Sequence, residues 1–159
     1  IITGKTAYLI QSACEFGVIA AGAGARTRQK ARTFGLNLGI AFQLVDDALD
    51  YTSRSDTSGK PLGGDLREGK FTLPLLLYLE SLPATQRETL ILELADANLD
   101  PARQDLIVAA IAEQGFTDRT RAAARSYLEN ASQALAVLPE GQEKRLLKAM
   151  MHFVITREK

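Results

Sequence analysis

Residues 34–50 read FGLNLGIAFQLVDDALD, and this stretch decides the fold class. Its apolar side chains recur at intervals of three and four residues, which is the spacing of one face of an α-helix. We therefore expect a long helix over about residues 26–51. The apolar stripe that should face the core consists of Phe34, Leu38, Ala41, Phe42, Val45 and Leu49.

Two glycines, Gly35 and Gly39, stand four residues apart inside the same predicted helix. A glycine in a helix interior costs up to about 1 kcal/mol relative to alanine, so a close backbone contact should justify each one. We interpret the pair as a site of tight helix packing rather than of direct ligand contact.

Polar side chains share the face opposite the apolar stripe. On a helix that advances about 100° per residue, they cover an arc of roughly 100°. Crowded carboxylates destabilise a helix, and Asp is a poor helix former, so local stability does not explain them. Magnesium prefers one or two carboxylates together with water and phosphate oxygens. The pattern therefore indicates a metal site, and the alternative is a solvated acidic face. The side chains on this face are Gln43, Asp46, Asp47 and Asp50.

The segment at 52–70 is rich in Gly and Ser and longer than a usual helix–helix connection, which predicts a functional loop. Its cations include Lys60, Arg67 and Lys70. Cations can contact phosphate oxygens directly while neighbouring carboxylates act through a metal ion. Next to the carboxylate helix, this loop favours a site for a diphosphate and its metal.

Helical patterns fill the rest of the chain, and we find neither a repeat nor a change in composition. The sequence therefore predicts one all-α domain over residues 1–159. Besides the long helix, the predicted helices cover about residues 5–21, 72–82, 85–95, 101–114, 117–138 and 142–157.

Composition excludes several classes of protein. Lys and Arg number 19, as do Asp and Glu, so no net charge attracts the chain to nucleic acid or to an anionic membrane. No apolar run reaches the ~20 residues of a membrane-spanning helix. The single cysteine, Cys14, cannot form an internal disulfide, which fits a reducing cytoplasm.

Four motifs resemble those of the trans-isoprenyl (polyprenyl) diphosphate synthases. Residues 39–50, GIAFQLVDDALD, are similar to the family's second aspartate-rich motif, GxxFQxxDDxxD. Residues 59–70, GKPLGGDLREGK, resemble the block that follows it, and TLP at 72–74 continues the pattern. GKTA at 4–7 looks like the family's KT element, with CEFG at 14–17 as its continuation. The resemblance covers most of residues 1–75.

The resemblance implies an all-α helical bundle of the isoprenoid synthase type, present only in part. It implies that Lys5, Lys60 and Lys70 bind diphosphate. Thr6 would face the developing allylic cation, and Gln43 would line the same pocket. The implied Mg²⁺ ligands are Asp46 and Asp50, with Asp47 in the surrounding metal network.

The implied activity is chain elongation. Magnesium assists ionisation of an allylic diphosphate, and the alkene of isopentenyl diphosphate attacks the cation. The sequence looks most like those of long-chain synthases, whose trans-polyprenyl products become quinone side chains. A homodimer is implied for the full-length enzyme.

The family has two aspartate-rich motifs, and this sequence contains only the second. The chain thus resembles the carboxyl-terminal half of a synthase, and we expect residues 1–159 alone to be inactive. Three alternatives remain: a non-catalytic or partner subunit of a heteromeric synthase, a terpene cyclase, and a plain helical interaction module with an acidic face. The KT element and the lysine–glycine block favour elongation over cyclisation.

Overall fold

The computed structural model describes residues 3–52, 62–95 and 99–157, apart from the side chains of Thr3 and Lys5. Every regular element in these ranges is helical, which confirms the all-α class. A π-helical turn, Thr3–Ala7, opens the described chain, and a 3₁₀ turn, Leu135–Val137, lies near its end. The α-helices are α1 (Tyr8–Ala20), α2 (Ala25–Leu49), α3 (Gly64–Arg67), α4 (Leu73–Ser81), α5 (Ala84–Ala95), α6 (Pro101–Glu113), α7 (Phe116–Ala134) and α8 (Gln142–Thr156).

Helix starts follow local signals in the sequence. Asp100 precedes α6, and its carboxylate accepts a hydrogen bond from the backbone N–H of Ala102 at 3.1 Å. Pro101 then occupies the first helical position, where its missing N–H costs nothing. Pro74 lies in the first turn of α4 for the same reason. These two predicted starts are confirmed to within one residue.

The predicted loop at 52–70 was wrong in one respect, because it contains α3. A helix of four residues is too short to produce a periodic apolar pattern, and Leu66 is its single buried side chain. The part of this loop at 53–61, with Lys60, lies outside the described residues.

The chain divides into two compact units, here called the first unit (residues up to Val45 with Arg121–Arg157) and the second unit (Asp46–Thr120). The prediction of a single domain over 1–159 stays a prediction. In the first unit, most of the expected stripe of α2 is buried, with Phe34, Leu38 and Ala41 at most 3% exposed, whereas Phe42 is only partly buried. Small and aliphatic side chains of α7 complete this core: Ala124, Leu128, Ala131 and Ala134.

The second unit has its own core. Helix α6 packs against α3 and α4, and α4 also packs against α5. The rings of Tyr78 and Phe116 meet edge to face, with centroids 5.7 Å apart. The buried members of this core are Tyr51, Leu66, Leu75, Leu79, Leu90, Ile107, Val108, Ile111 and Phe116.

Candidate functional site

In the first unit, the π-helical turn places Thr6 against α2. The Thr6 hydroxyl donates a hydrogen bond to Gln43 Oε1 at 3.2 Å, in a partly buried position. π-Helical turns are rare and are frequent at functional sites. The two residues that were expected to share a pocket therefore lie in contact, although their chemical roles stay predictions.

Close packing explains both glycines of α2. A Cβ atom on Gly39 would lie 2.5 Å from Ala7 Cα, and one on Gly35 would lie 2.7 Å from Gln11 Cα. Both contacts are with backbone, which cannot rotate away as a side chain can. The interpretation of the pair as a tight packing site is confirmed, and the contact with Ala7 holds the residue next to Thr6.

Two predicted diphosphate ligands cannot be placed. The backbone of Lys5 belongs to the π-helical turn, but its side chain lies outside the described residues, as does all of Lys60. Their roles stay predictions.

In the second unit, the end of α2 presents its carboxylates at different depths. Asp46 is exposed and Asp50 is half-buried, whereas Asp47 is only 2% exposed. The three were expected together on the polar face of this helix, and the structure shows that Asp47 is the buried member of the set; their joint role in a metal site stays a prediction. Ala48, Leu49 and Tyr51 are buried as well, so the end of α2 is enclosed on more sides than a surface helix.

Asp50 holds the start of α3. Its Oδ2 accepts a hydrogen bond from the backbone N–H of Asp65 at 2.9 Å, and its carbonyl oxygen accepts one from the N–H of Gly63 at 2.8 Å. Gly63 has a φ of +72°, and a Cβ there would lie 2.2 Å from Val108 Cγ2. Only glycine satisfies both conditions. The carboxylate thus fixes the segment that carries Asp65 and Lys70.

The surroundings of Asp50 shift the pKa of its carboxyl upward. Burial raises the pKa of its carboxyl, while the hydrogen bond from the Asp65 amide opposes that shift. Burial also raises the pKa of Tyr51 to about 12, so this phenol is neutral. Its hydroxyl lies 3.5 Å from Thr72 Oγ1. A cation bound beside Asp50 would favour the ionised carboxylate.

A Schellman turn positions Lys70. The N–H of Lys70 donates to the carbonyl of Asp65 at 2.8 Å, and the N–H of Gly69 donates to Leu66 at 3.0 Å. Gly69 has the positive φ, +69°, that this motif requires. The Lys70 ammonium lies 2.8 Å from Asp65 Oδ1 and 2.6 Å from Glu68 Oε2, and these hydrogen bonds raise the pKa of Lys70. Lys70 is therefore positively charged at neutral pH.

Arg67 joins α3 to residues of α6 through its guanidinium. Its guanidinium donates to Leu62 O, to Gln104 Oε1 and to the carboxylate of Asp105. These contacts tie α3 to α6. The expectation that Arg67 is one of the phosphate-binding cations receives no support from this arrangement.

Sequence reasoning gave no role to Asp65, which the structure places between Asp50 and Lys70. The available signal was its position after Gly63 and Gly64 at the start of a turn. That signal was insufficient because the partner, Asp50, lies 15 residues earlier in the chain.

The carboxylates at the end of α2 fit a metal that is shared with a ligand. In the three described ranges, no three His, Cys, Asp or Glu side chains converge as a group that could hold a metal ion. Asp46 and Asp50 supply hard oxygen atoms one helical turn apart, and magnesium commonly uses one or two carboxylates with phosphate oxygens and water. The donor set therefore suits a magnesium–diphosphate group better than a protein-only cage.

Among the described residues, no helix has the length and hydrophobicity needed to cross a membrane.

Comparison with known proteins gives a consistent result. Residues 1–111 match the family model for polyprenyl synthetase. The heptaprenyl diphosphate synthase component 2 of Bacillus subtilis is 34% identical over 157 residues, which cover 99% of this chain and 44% of that protein. The all-trans-nonaprenyl-diphosphate synthase (geranyl-diphosphate specific) of Rhodobacter capsulatus is 36% identical, with 99% and 47% covered. The chain thus spans about half the length of the curated relatives it matches.

Solved structures show the same fold. The polyprenyl synthase of Caulobacter crescentus CB15, in complex with calcium and isoprenyl diphosphate, matches with a TM-score of 0.89 at 36% identity. The match covers 99% of this chain and 48% of that one. The expected fold, a part of the isoprenoid synthase bundle, is confirmed.

Proposed function

Since the chain belongs to the polyprenyl synthetase family, we propose that the whole protein elongates an allylic diphosphate with isopentenyl diphosphate to a trans-polyprenyl diphosphate. The observation that carries this proposal is the end of α2. There, exposed Asp46 and half-buried Asp50 stand one turn apart, and Asp50 holds the segment that carries the Lys70 cation.

Asp46 and Asp50 are the proposed magnesium ligands, and the buried Asp47 is a proposed member of the same metal site. When bound, magnesium would neutralise the diphosphate and stabilise it as a leaving group. The Caulobacter structure was solved with calcium and isoprenyl diphosphate, which supports a divalent metal. Magnesium is our choice because its preference for few carboxylates and several phosphate oxygens fits this donor set.

The protein's own groups act on the two ends of the breaking bond. Lys70 supplies fixed positive charge for the departing diphosphate, as we propose for Lys5 and Lys60. The Thr6 hydroxyl donates a hydrogen bond to Gln43 Oε1, so the lone pairs of the hydroxyl oxygen can face the positive charge that develops on the allylic group. Thr6 and Gln43 are therefore proposed to act mainly in the transition state.

The proposed product is long-chain, in the class of the heptaprenyl and nonaprenyl products that the relatives' names state. Such chains serve as precursors of quinone side chains. Chromatography of the products, after removal of the diphosphate, tests this length class against short standards.

The proposed assembly is a homodimer. A second candidate, one subunit of a heteromeric synthase, is favoured by the Bacillus subtilis relative, which is named as a component. Light scattering and turnover of the purified protein alone separate them, because a heteromeric subunit is inactive until its partner is added. The proposed location is the cytoplasm, since the free thiol of Cys14 suits a reducing compartment.

The metal assignment is tested by Asp46→Ala in the whole protein. Because Asp46 is exposed, the fold should remain, while turnover should fall by about 100- to 1,000-fold through loss of transition-state charge stabilisation. The measurements are prenyl transfer and the magnesium-dependent thermal shift with inorganic pyrophosphate, which the variant should lose.

Asp118→Ala is the matched control, because Asp118 is also an exposed helical carboxylate and has no proposed role. Equal turnover in Asp46→Ala and Asp118→Ala would remove Asp46 from the metal site.

A further inference from the structure

Within the first unit, Arg157, the residue that follows α8, contacts α2 at Phe42. Arg157 Nη2 donates a hydrogen bond to the carbonyl oxygen of Phe42 at 2.9 Å. The same guanidinium lies over the Phe42 ring, 4.0 Å from its centroid. The two residues are 115 positions apart in the chain, so tertiary structure alone brings them together.

This contact lies next to a residue of the candidate site. Phe42 directly precedes Gln43, which accepts the hydrogen bond from Thr6. One turn earlier, Gly39 packs against Ala7. The stretch of α2 around Gln43 is thus held by the π-helical turn through Gly39 and by Arg157 through Phe42.

The chemistry of the contact suits arginine. A planar guanidinium can stack on an aromatic ring while its N–H groups point sideways to an acceptor. A lysine ammonium can donate to the carbonyl, but it offers no flat surface to the ring. Together, the two contacts restrict both the rotation of α2 about its axis and its position along that axis. A hydrogen bond alone restricts mainly the distance between the guanidinium and the carbonyl oxygen.

We propose that Arg157 is a positioning residue, which holds Gln43 in the orientation that receives the Thr6 hydrogen bond. This inference rests on the proposed function of Thr6 and Gln43. Because those two groups are assigned to the transition state, a misplaced Gln43 lowers kcat and leaves KM nearly unchanged.

The test uses Arg157→Met in the whole protein, with Arg121→Met as its matched control. Arg121 also donates to a helix carbonyl, Ile155 O at 3.4 Å, but the acceptor lies in α8 rather than in α2. We expect Arg157→Met to lower kcat by about 10- to 100-fold with KM changed less than about twofold. Arg121→Met should leave both constants near wild type.

Coupling to Gln43 separates positioning from general destabilisation. If Arg157 acts through Gln43, adding Arg157→Met to Gln43→Ala lowers kcat little further. Multiplicative losses, or a loss in Arg157→Met that Arg121→Met reproduces, overturn the inference. Arg157→Lys covers the case in which the Met variant does not fold, and it should recover part of kcat because it retains a donor.

A readout independent of turnover is the NMR signal of the Gln43 side-chain amide. It should shift in Arg157→Met and stay in place in Arg121→Met, and an unchanged signal in both variants overturns the inference. A wild-type protein that transfers no prenyl group refutes the proposed function instead, while the amide signal still decides the role of Arg157.

Discussion

At the scale of single residues, the missing side chain of Gly39 lets α2 pack closely against Ala7. Gly39→Ala places a methyl group 2.5 Å from Ala7 Cα, so we expect a loss of about 1–3 kcal/mol in the free energy of unfolding. Urea denaturation of the 159-residue chain measures it.

The matched control for Gly39→Ala is Gly17→Ala, because Gly17 also lies inside a helix, α1, but a methyl group added there would meet no neighbouring atom within 4 Å. Removing a helical glycine there should stabilise the chain by up to about 1 kcal/mol. Similar effects of the two substitutions would contradict the packing account.

At the scale of elements, the Schellman turn after α3 links backbone geometry to Lys70. Gly69→Ala forces an L residue to a φ of +69°, at a cost of about 1–2 kcal/mol, and should displace the Lys70 ammonium. We therefore expect weaker binding of pyrophosphate with magnesium, measured by titration calorimetry on the whole protein.

Gly115→Ala serves as the reference for that substitution. Gly115 has a similar φ, +79°, and, as at Gly69, an added Cβ has nothing within 4 Å. Both variants should lose comparable stability, and only Gly69→Ala should lose pyrophosphate affinity. Equal affinities in the two variants would show that Lys70 does not bind the diphosphate.

At the scale of the whole molecule, we expect the 159-residue chain to catalyse no prenyl transfer by itself. It spans 44% and 47% of two curated relatives, and its sequence contains one aspartate cluster. Chromatographic product analysis measures this, with circular dichroism to show that the chain is helical. The Rhodobacter capsulatus synthase provides the positive control, and steady product formation by the short chain would prove the expectation wrong.

The sequence predicted those parts of the molecule that depend on local order. The apolar spacing from Phe34 to Leu49 predicted α2 and its buried face, and Pro101 predicted the start of α6. The glycine pair of α2 predicted close packing because each glycine had a cost that only a tertiary contact could offset.

Features that depend on distant contacts could not be predicted. The burial of Asp47 and the hydrogen bond from Asp65 to Asp50 arise from segments that meet only in three dimensions. The same holds for Arg67, whose cationic charge suggested a phosphate ligand until its partners on α6 were known. Charge can be read from a sequence, but the partner of a charge often cannot.

The carboxylate of Asp50, which holds the first amides of α3, limits how this protein can evolve. Asp46, the other proposed metal ligand, is exposed, so we expect its exchange for a different side chain to disturb the fold less than a change at Asp50 does. A change at Asp50 would also release α3. Directed evolution toward a different metal preference should therefore accumulate substitutions at position 46 and preserve the native residue at position 50.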